Sequence, residues 1–193
     1  ALPICYYTVK DRYQMAFAYY MNGDYPKAGT LFEKITYRES EIAQSALYHL
    51  ADCYLQQGDK NKARIAFSQA SQMDYDQKIR EDALFNYAKV TFELSYDPFN
   101  EAIRAFNQYI TQYPASDRVD EVYNYLVTAY LQTRNFSMAL ESLEKIKYKD
   151  EQIEEAYQKV AFYRGLELYN NLRFDEAVDV LERALEYSQY DAS

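Results

Sequence analysis

The chain has 193 residues, 49% of them hydrophobic, and its 21 basic and 30 acidic side chains give a net charge of −9. This acidic balance argues against nucleic acid as a partner, because phosphate binding needs a basic surface, and against anionic membrane surfaces. No apolar run approaches the ~18 residues of a transmembrane helix, and the small numbers of glycine and proline, 4 each, favour long helices over a many-stranded β fold.

One short motif recurs along the chain at nearly constant spacing. The stretch "YYMNGDYPKA" begins at Tyr19, and "YLQQGDKNKA" begins at Tyr54. The alanine that closes each copy has counterparts in "FNEAIRAF", "FSMALESL" and "FDEAVDVL". The five recurring alanines are Ala28, Ala63, Ala102, Ala139 and Ala177, and consecutive ones are 35 to 39 residues apart. A period in this range is typical of a solenoid or a similar array.

The second copy of the motif shows what each unit is. Leu50 and Tyr54 precede the turn with the four-residue spacing of one helical face. Gly58 suits the left-handed residue that ends a helix, and Asp59 is a good N-cap for the next one. Apolar residues then recur with helical spacing from Ala63 onward. The unit is therefore predicted to be a helix, a tight turn and a second helix.

The same register fits five times along the chain. Each first helix carries a small residue, and these are Ala16, Ala51, Ala88, Val127 and Gly165. The pattern resembles the tetratricopeptide repeat, a helix–turn–helix unit with Leu-small-x-x-Tyr and Ala-x-x-x-Phe signatures. The resemblance implies an all-α fold, a right-handed α-α superhelix of about five repeats in a single array over 1–193. The units are predicted at 10–37, 40–74, 77–113, 117–148 and 151–189.

The third and fourth units meet at a junction that contains proline. Pro114 stops one helix, and Ser116 or Asp117 is expected to cap the next. The stretch "AFNQYITQYPASDRVDEVYNYLVTAY" resembles the helix–"YPxS"–helix junction of bacterial outer-membrane assembly lipoproteins and Tol-Pal-associated repeat proteins. The residues that carry this resemblance are Ala105, Phe106, Tyr113, Pro114, Ser116, Glu121, Tyr123 and Leu126. The resemblance favours the periplasm or cell envelope of a bacterium over the cytoplasm.

The tetratricopeptide resemblance also implies a binding surface. In that family the first helices line a concave groove, where partners lie as extended or helical peptides. The groove positions fall three residues before, one after and four after the small residue of each first helix. They are Tyr13, Phe17, Tyr20, Tyr48, Asp52, Leu55, Phe85, Lys89, Phe92, Asn124, Thr128, Leu131, Phe162, Leu166 and Tyr169. Such an aromatic, lightly charged groove suits protein recognition, although aromatic residues at helical spacing also serve ordinary packing.

One known binding mode of the family is not expected. Members that bind chaperone tails hold a C-terminal carboxylate with Lys, Asn and Arg at groove positions. Here the equivalent places hold Tyr13, Phe17, Tyr48 and Asp52. A carboxylate would meet tyrosines and another carboxylate, so no carboxylate clamp is predicted.

The sequence carries no pattern of catalytic or metal-binding residues. The single histidine, His49, is interpreted as a packed or surface residue, and Cys5 and Cys53 form no CxxC pair or metal-like cluster. No glycine-rich phosphate loop is present. The acidic run from Asp150 to Glu155 is placed to favour a helix N-terminus. We therefore expect no enzyme, no cofactor and no metal.

The last predicted helix carries an apolar stripe of Val178, Leu181 and Leu185, without a polar capping helix after it. Either the native chain continues with more repeats, or this helix packs on another molecule, including a second copy in a homo-oligomer. Because the sequence begins at Ala1 and not at methionine, we expect a segment of a longer protein.

Three functions compete at this point. The leading hypothesis is a scaffold that binds a protein or peptide partner in the groove. The second is an architectural spacer within a larger multi-repeat cell-envelope protein. The weakest is a small-molecule or catalytic site between helices.

Overall fold

The computed structural model describes residues 8–37, 39–94 and 100–186, and all regular secondary structure in these ranges is α-helical. The helices there are α1 (Val9–Met21), α2 (Tyr25–Glu33), α3 (Glu41–Gln56), α4 (Lys60–Gln72), α5 (Gln77–Leu94), α6 (Asn100–Gln112), α7 (Val119–Gln132), α8 (Phe136–Lys145), α9 (Glu151–Asn170) and α10 (Phe174–Glu186). The prediction of an all-α chain is confirmed. None of these helices is both long enough and apolar enough to cross a membrane.

The helices group into two compact units, with α1 to α5 in the first and α6 to α10 in the second. The division falls between α5 and α6, inside the predicted third repeat, 77–113. In each unit every helix packs on the next one along the chain. In the first unit, α1 also contacts α3 and α3 contacts α5, so the first helices of consecutive pairs are neighbours. This stacking covers apolar stripes that an isolated pair would leave in water.

The repeated alanines lie where helices approach each other most closely. Ala28, Ala63, Ala102, Ala139 and Ala177 are between 0% and 3% exposed. In the first unit they border two apolar clusters, one around Phe32 and one around Phe67. The small side chain lets two backbones come close, and the phenylalanine or leucine four residues later fills the space above it. The regular spacing of these alanines in the sequence therefore indicates residues of the hydrophobic core.

The turns within the pairs end the first helix with a left-handed residue. Gly23 has a φ of 76°, and Gly58 has a φ of 79°. The Gly58 N–H donates to the Leu55 carbonyl at 2.9 Å, and the Asp59 N–H donates to the Tyr54 carbonyl at 2.8 Å. This is the Schellman arrangement, in which two otherwise unpaired carbonyls at the helix end are satisfied.

The residue after each of these glycines is the N-cap of the next helix, as predicted for Asp59. The side chain of Asp59 accepts a hydrogen bond from the Lys62 N–H, and Asp24 does the same for Lys27. A carboxylate at this position satisfies one unpaired N–H and interacts favourably with the helix dipole. Asp150 likewise caps α9, which confirms the interpretation of that acidic run.

The junction at Pro114 differs in one detail from the expectation. Neither Ser116 nor Asp117 is the N-cap of α7, because that position is held by Arg118, whose side chain makes no capping bond. The Ser116 hydroxyl instead lies 2.8 Å from the Tyr109 hydroxyl and accepts from the Arg118 N–H at 3.3 Å. Ser116 thus links the end of α6 to the start of α7 across the turn.

Candidate partner-binding face

Helices α1 and α3 bring several groove positions together around one histidine. We call Tyr13, Phe17, Tyr20, Tyr48 and His49 the aromatic face. The His49 ring centre lies 5.1 Å from that of Phe17 and 5.0 Å from that of Tyr20. Tyr13 and Tyr48 approach it at 6.3 and 5.6 Å. All five side chains are partly exposed. They form one continuous surface of rings that water and a partner can reach.

Local sequence explains why these rings share a side. Tyr13, Phe17 and Tyr20 are spaced by four and three residues on α1, so they form one stripe. Their rings stack in series, with Phe17 6.1 Å from Tyr13 and 5.9 Å from Tyr20. The start of α1 is fixed by a reciprocal pair of capping bonds between Thr8 and Asp11. The stripe therefore has a defined orientation toward α3.

His49 is the member of the aromatic face that the groove register does not include. It lies two residues before Ala51, between the groove positions and the buried side of α3. Its Nδ1 is buried and has no hydrogen-bond partner among the described residues. Burial lowers the pKa of His49, and the nearby Asp52 carboxylate opposes that effect only in part. The imidazole is therefore neutral at neutral pH and packs as an aromatic ring, in line with its interpretation as a packed residue.

Asp52 provides the one carboxylate among the groove positions of α1 and α3. It accepts a hydrogen bond from the Tyr20 hydroxyl at 2.5 Å. Burial and this hydrogen bond both raise the pKa of Tyr20 far above its usual value. Tyr20 thus stays a hydrogen-bond donor, and its hydroxyl links the aromatic face to the Asp52 carboxylate.

All five residues of the aromatic face also contact the core: Tyr13, Phe17 and Tyr20 pack against the cluster around Phe32, Tyr48 packs against the cluster around Phe67, and the His49 ring stacks on Phe32 at 5.8 Å. The ring of Tyr13 meets the buried Phe32 edge-on at 5.7 Å, and Tyr48 meets the buried Phe67 in the same way at 5.7 Å. Each tyrosine therefore uses one side for packing and leaves the other partly open. Phe17 also packs against the cluster around Phe32, but its ring contacts among the described residues are with Tyr13, Tyr20 and His49, so we choose it for a test by substitution.

The remaining groove positions of the first unit offer less surface. Phe85 is only 6% exposed and belongs to the interior. Lys89 and Phe92 are partly exposed on α5, and Leu55 packs against the cluster around Phe67. Of the three groove positions on α5, only Lys89 and Phe92 present substantial area to a partner.

In the second unit the groove positions fall into a polar group and an aromatic group. Asn124 and Thr128 are exposed on α7, where the Thr128 hydroxyl donates to the Asn124 carbonyl at 3.0 Å. Leu131 is partly exposed on the same helix. On α9 the exposed side chains are Phe162, Leu166 and Tyr169. The ring of Tyr169 meets that of Phe174 at 5.4 Å.

The described part of the chain was expected to hold no metal site, and its one described cysteine lies in the interior. It contains no cluster of three or more His, Cys, Asp or Glu side chains that could hold a metal ion. The Cys53 thiol is buried, and burial together with Asp52 raises its pKa to about 12. A thiol in this state is protonated at neutral pH and is a poor nucleophile.

Two sequence models of the tetratricopeptide repeat match the chain, one at residues 19–84 and the other at residues 82–116. Together they span about half of its length. The chain belongs to the tetratricopeptide repeat family. No curated protein matches the sequence significantly. Neither match distinguishes the envelope-associated subtype within the family.

Solved structures with the same fold extend the similarity over almost the whole chain. MamA from Desulfovibrio magneticus RS-1, solved from its residue 41 onward, is 15% identical with a TM-score of 0.57, and the match covers 96% of this chain and 97% of MamA. A second MamA structure is 18% identical with a TM-score of 0.56, covering 96% of each chain. BtubC from P. vanneervenii is 18% identical with a TM-score of 0.52, covering 96% of this chain and 83% of BtubC.

These similarities confirm the fold class, an all-α tetratricopeptide superhelix. Proteins built from this repeat generally mediate protein–protein interaction and are generally non-catalytic. The repeat supplies an extended surface, and the residues on that surface decide what binds.

Proposed function

We propose that this chain is a non-catalytic scaffold that binds a protein or peptide partner across the aromatic face of α1 and α3. The observation that supports the proposal is the continuity of that face, in which five partly exposed rings contact one another. Rings with polar tips gain free energy from burial and still offer hydrogen bonds, which is why they are enriched at interfaces. The groove positions on α5 and in the second unit are proposed as further contacts.

Charge complementarity indicates the chemistry of the partner segment. Asp52 carries the only carboxylate among the groove positions of α1 and α3, and the whole chain has a net charge of −9. A segment that places a lysine or arginine between apolar side chains would match it. The cation would face Asp52 and the tyrosine rings, and the apolar side chains would lie on Phe17.

Affinity capture from native extract tests the proposal with a matched pair of variants. Phe17→Ala removes a ring from the aromatic face, whereas Ile65→Ala removes an exposed apolar side chain from α4. Circular dichroism establishes that both variants are folded. We expect one captured protein to be lost from Phe17→Ala and retained by Ile65→Ala. Equal capture by both variants would place the binding site elsewhere on the chain.

The alternative is an architectural spacer in a larger multi-repeat protein. It is favoured by the core contacts of Tyr13 and Tyr48, since residues at groove positions that already serve packing need no partner. A spacer would capture no protein from native extract in either the wild-type or the Phe17→Ala form. The same experiment therefore separates the two functions.

The proposal also covers the full-length protein and its location in the cell. The predicted units at 10–37, 40–74, 77–113, 117–148 and 151–189 are proposed as repeats of a longer protein. A periplasmic or envelope location is supported by the single junction at Tyr113 and Pro114. Fractionation of the native organism with an antibody against this chain tests that location, and recovery in the cytosolic fraction would contradict it.

A further inference from the structure

Two of the first helices, α3 and α7, pack on the second helix before them in the same register. In the first unit, the hydroxyl of Tyr54, three residues after Ala51 in α3, donates a hydrogen bond to Glu33, five residues after Ala28 in α2. One turn earlier, Leu50 packs toward Gly29, where an added methyl group would lie 3.7 Å from Leu50 Cδ1. The pair Leu50 and Tyr54 thus holds α3 on α2.

The second unit repeats this register. Tyr130 lies three residues after Val127 in α7, and Asn107 lies five residues after Ala102 in α6. The Asn107 side-chain amide donates to the Tyr130 hydroxyl at 3.4 Å. Both units therefore pair a tyrosine with a polar side chain at the same two positions of consecutive helices.

Helix α1 carries an apolar residue and a tyrosine at the same two positions, with no preceding helix packed on them in the described part of the chain. Met15 and Tyr19 stand in the positions of Leu50 and Tyr54. Leu50 is 5% exposed, but Met15 is 38% exposed. Lys27 lies over the Tyr19 ring at 5.4 Å, as Lys62 lies over Tyr54 at 5.3 Å. The surface thus has the form of an internal contact that no preceding helix covers among the described residues.

A cleft of about 420 Å³ marks this open surface. Its walls come from α1 and α2, and the lining residues are Met15, Tyr19, Pro26, Lys27, Thr30 and Leu31. We call Met15, Tyr19 and Leu31 the head face. Its apolar character suits the second helix of another repeat.

Helix α10 carries the complementary residues at the other end. Val178 is in the position of Gly29, and Glu182 is in the position of Glu33. In α8 the equivalent of Val178 is Leu140, which is 6% exposed, whereas Val178 itself is 52% exposed. Glu182 and Leu185 are exposed beside it. We call Val178, Glu182 and Leu185 the tail face.

We propose that the head face of one copy of this chain docks on the tail face of a second copy. Met15 then packs on Val178, and the Tyr19 hydroxyl donates to the Glu182 carboxylate, as Tyr54 does to Glu33. The two faces are different surfaces, so each contact leaves one head and one tail free. A heterologous contact of this kind lets the assembly grow by addition of further copies, as an open chain or a closed ring. The proposal does not depend on what the aromatic face binds, and it is the alternative to flanking repeats of a longer protein at these two faces.

Sedimentation velocity over a wide concentration range tests the assembly. We expect the weight-average mass of the wild-type chain to rise continuously with concentration beyond that of a dimer. Met15→Glu and Val178→Glu each place a charge at one exposed apolar position, and circular dichroism checks that both variants are folded. Each variant alone is expected to remain a monomer, because one of its two faces is blocked.

An equimolar mixture of Met15→Glu and Val178→Glu is the decisive sample. The first variant keeps its tail and the second keeps its head, so the mixture is expected to form dimers and nothing larger. Tyr19→Phe, which lacks the hydroxyl, is expected to weaken wild-type association about fivefold. A wild-type chain that stays monomeric at all concentrations would overturn the proposal and leave the two faces for repeats outside this chain. Association of either single variant at wild-type strength would overturn it as well.

Discussion

Gln44 in α3 and Asp76, just before α5, are joined by two hydrogen bonds. The Asp76 N–H donates to Gln44 Oε1 at 2.7 Å, and Gln44 Nε2 donates to the Asp76 carbonyl at 3.2 Å. The same Nε2 also lies within hydrogen-bond distance of the carbonyls of Met73 and Ala70, at 2.8 and 3.2 Å. Gln44 is fully buried. One side chain therefore satisfies the backbone at the end of α4 and holds the connection to α5.

Loss of the Gln44 side chain is expected to destabilise the first unit strongly. Gln44→Ala would leave buried backbone groups near Met73 and Asp76 without partners, and each such group costs about 1–3 kcal/mol. We expect the free energy of unfolding in urea to fall by about 2–3 kcal/mol. The control Gln56→Ala, at an exposed position of the same helix, should change it by less than about 0.5 kcal/mol.

Substitutions at the left-handed positions of the turns are expected to change the melting temperature in opposite directions. Arg134 and Leu172 adopt φ values of 56° and 61°, where Gly23 and Gly58 stand in the earlier turns. A residue with a Cβ costs about 1–2 kcal/mol in this region. Arg134→Gly should therefore raise the melting temperature of the second unit, and Gly58→Ala should lower that of the first. An increase in melting temperature on Gly58→Ala would contradict the assigned turn geometry.

The crossing of α9 and α10 depends on the absence of a side chain at Gly165. A methyl group added there would come within 2.6 Å of Leu181 Cγ and Cδ2. Gly165→Ala should therefore destabilise the second unit by about 1–3 kcal/mol through overpacking. In a Leu181→Ala background the same change should cost less than about 0.5 kcal/mol, because the clash is gone. Equal costs in both backgrounds, measured by urea unfolding, would rule out this contact as the cause.

The lowered pKa of His49 is expected to make the free energy of unfolding of the first unit depend on pH. Its pKa is lowered in the folded state by burial, whereas the unfolded chain has the ordinary value of about 6.5. The unfolded state therefore binds a proton first as the pH falls through about 6.5, and the free energy of unfolding decreases there. At higher pH His49 is neutral in both the folded and the unfolded state, and it no longer lowers the free energy of unfolding.

His49→Tyr is the matched variant for this measurement. Tyr163 occupies the equivalent position of α9, so the substitution places a ring that the repeat already accommodates. Urea unfolding of wild type and variant at pH 7.5 and at lower pH should show the decrease near about 6.5 in the wild type only. The same decrease in His49→Tyr would assign the effect to carboxylates or to other groups.

Periodicity made most of the fold predictable from the sequence. The recurring alanines, Gly23 and Gly58, and the capping residues Asp24 and Asp59 act over a few residues of chain, so their spacing alone reveals their roles. The turns at Arg134 and Leu172 carry no glycine, but the surrounding helical register located them. The helix pairs of the second unit followed from the same repetition.

The candidate site was less predictable because its geometry depends on contacts between distant residues. The groove register placed Tyr13, Phe17, Tyr20 and Tyr48 on α1 and α3, but it omitted His49, around which their rings gather. A neutral imidazole among aromatic rings has no signature in a single sequence. Gln44 was likewise unpredictable, since its partners lie 26 to 32 residues away.

Site-specific photocrosslinking tests the aromatic face most directly. A benzophenone amino acid replaces Phe17 in one protein and the exposed Ile65 in another, and both are irradiated in native extract. We expect a crosslinked partner at position 17 and no crosslink to the same protein at position 65. The crosslinked segment of the partner should contain a basic residue among apolar ones. Crosslinks to that protein at position 65, with none at position 17, would contradict binding at the aromatic face.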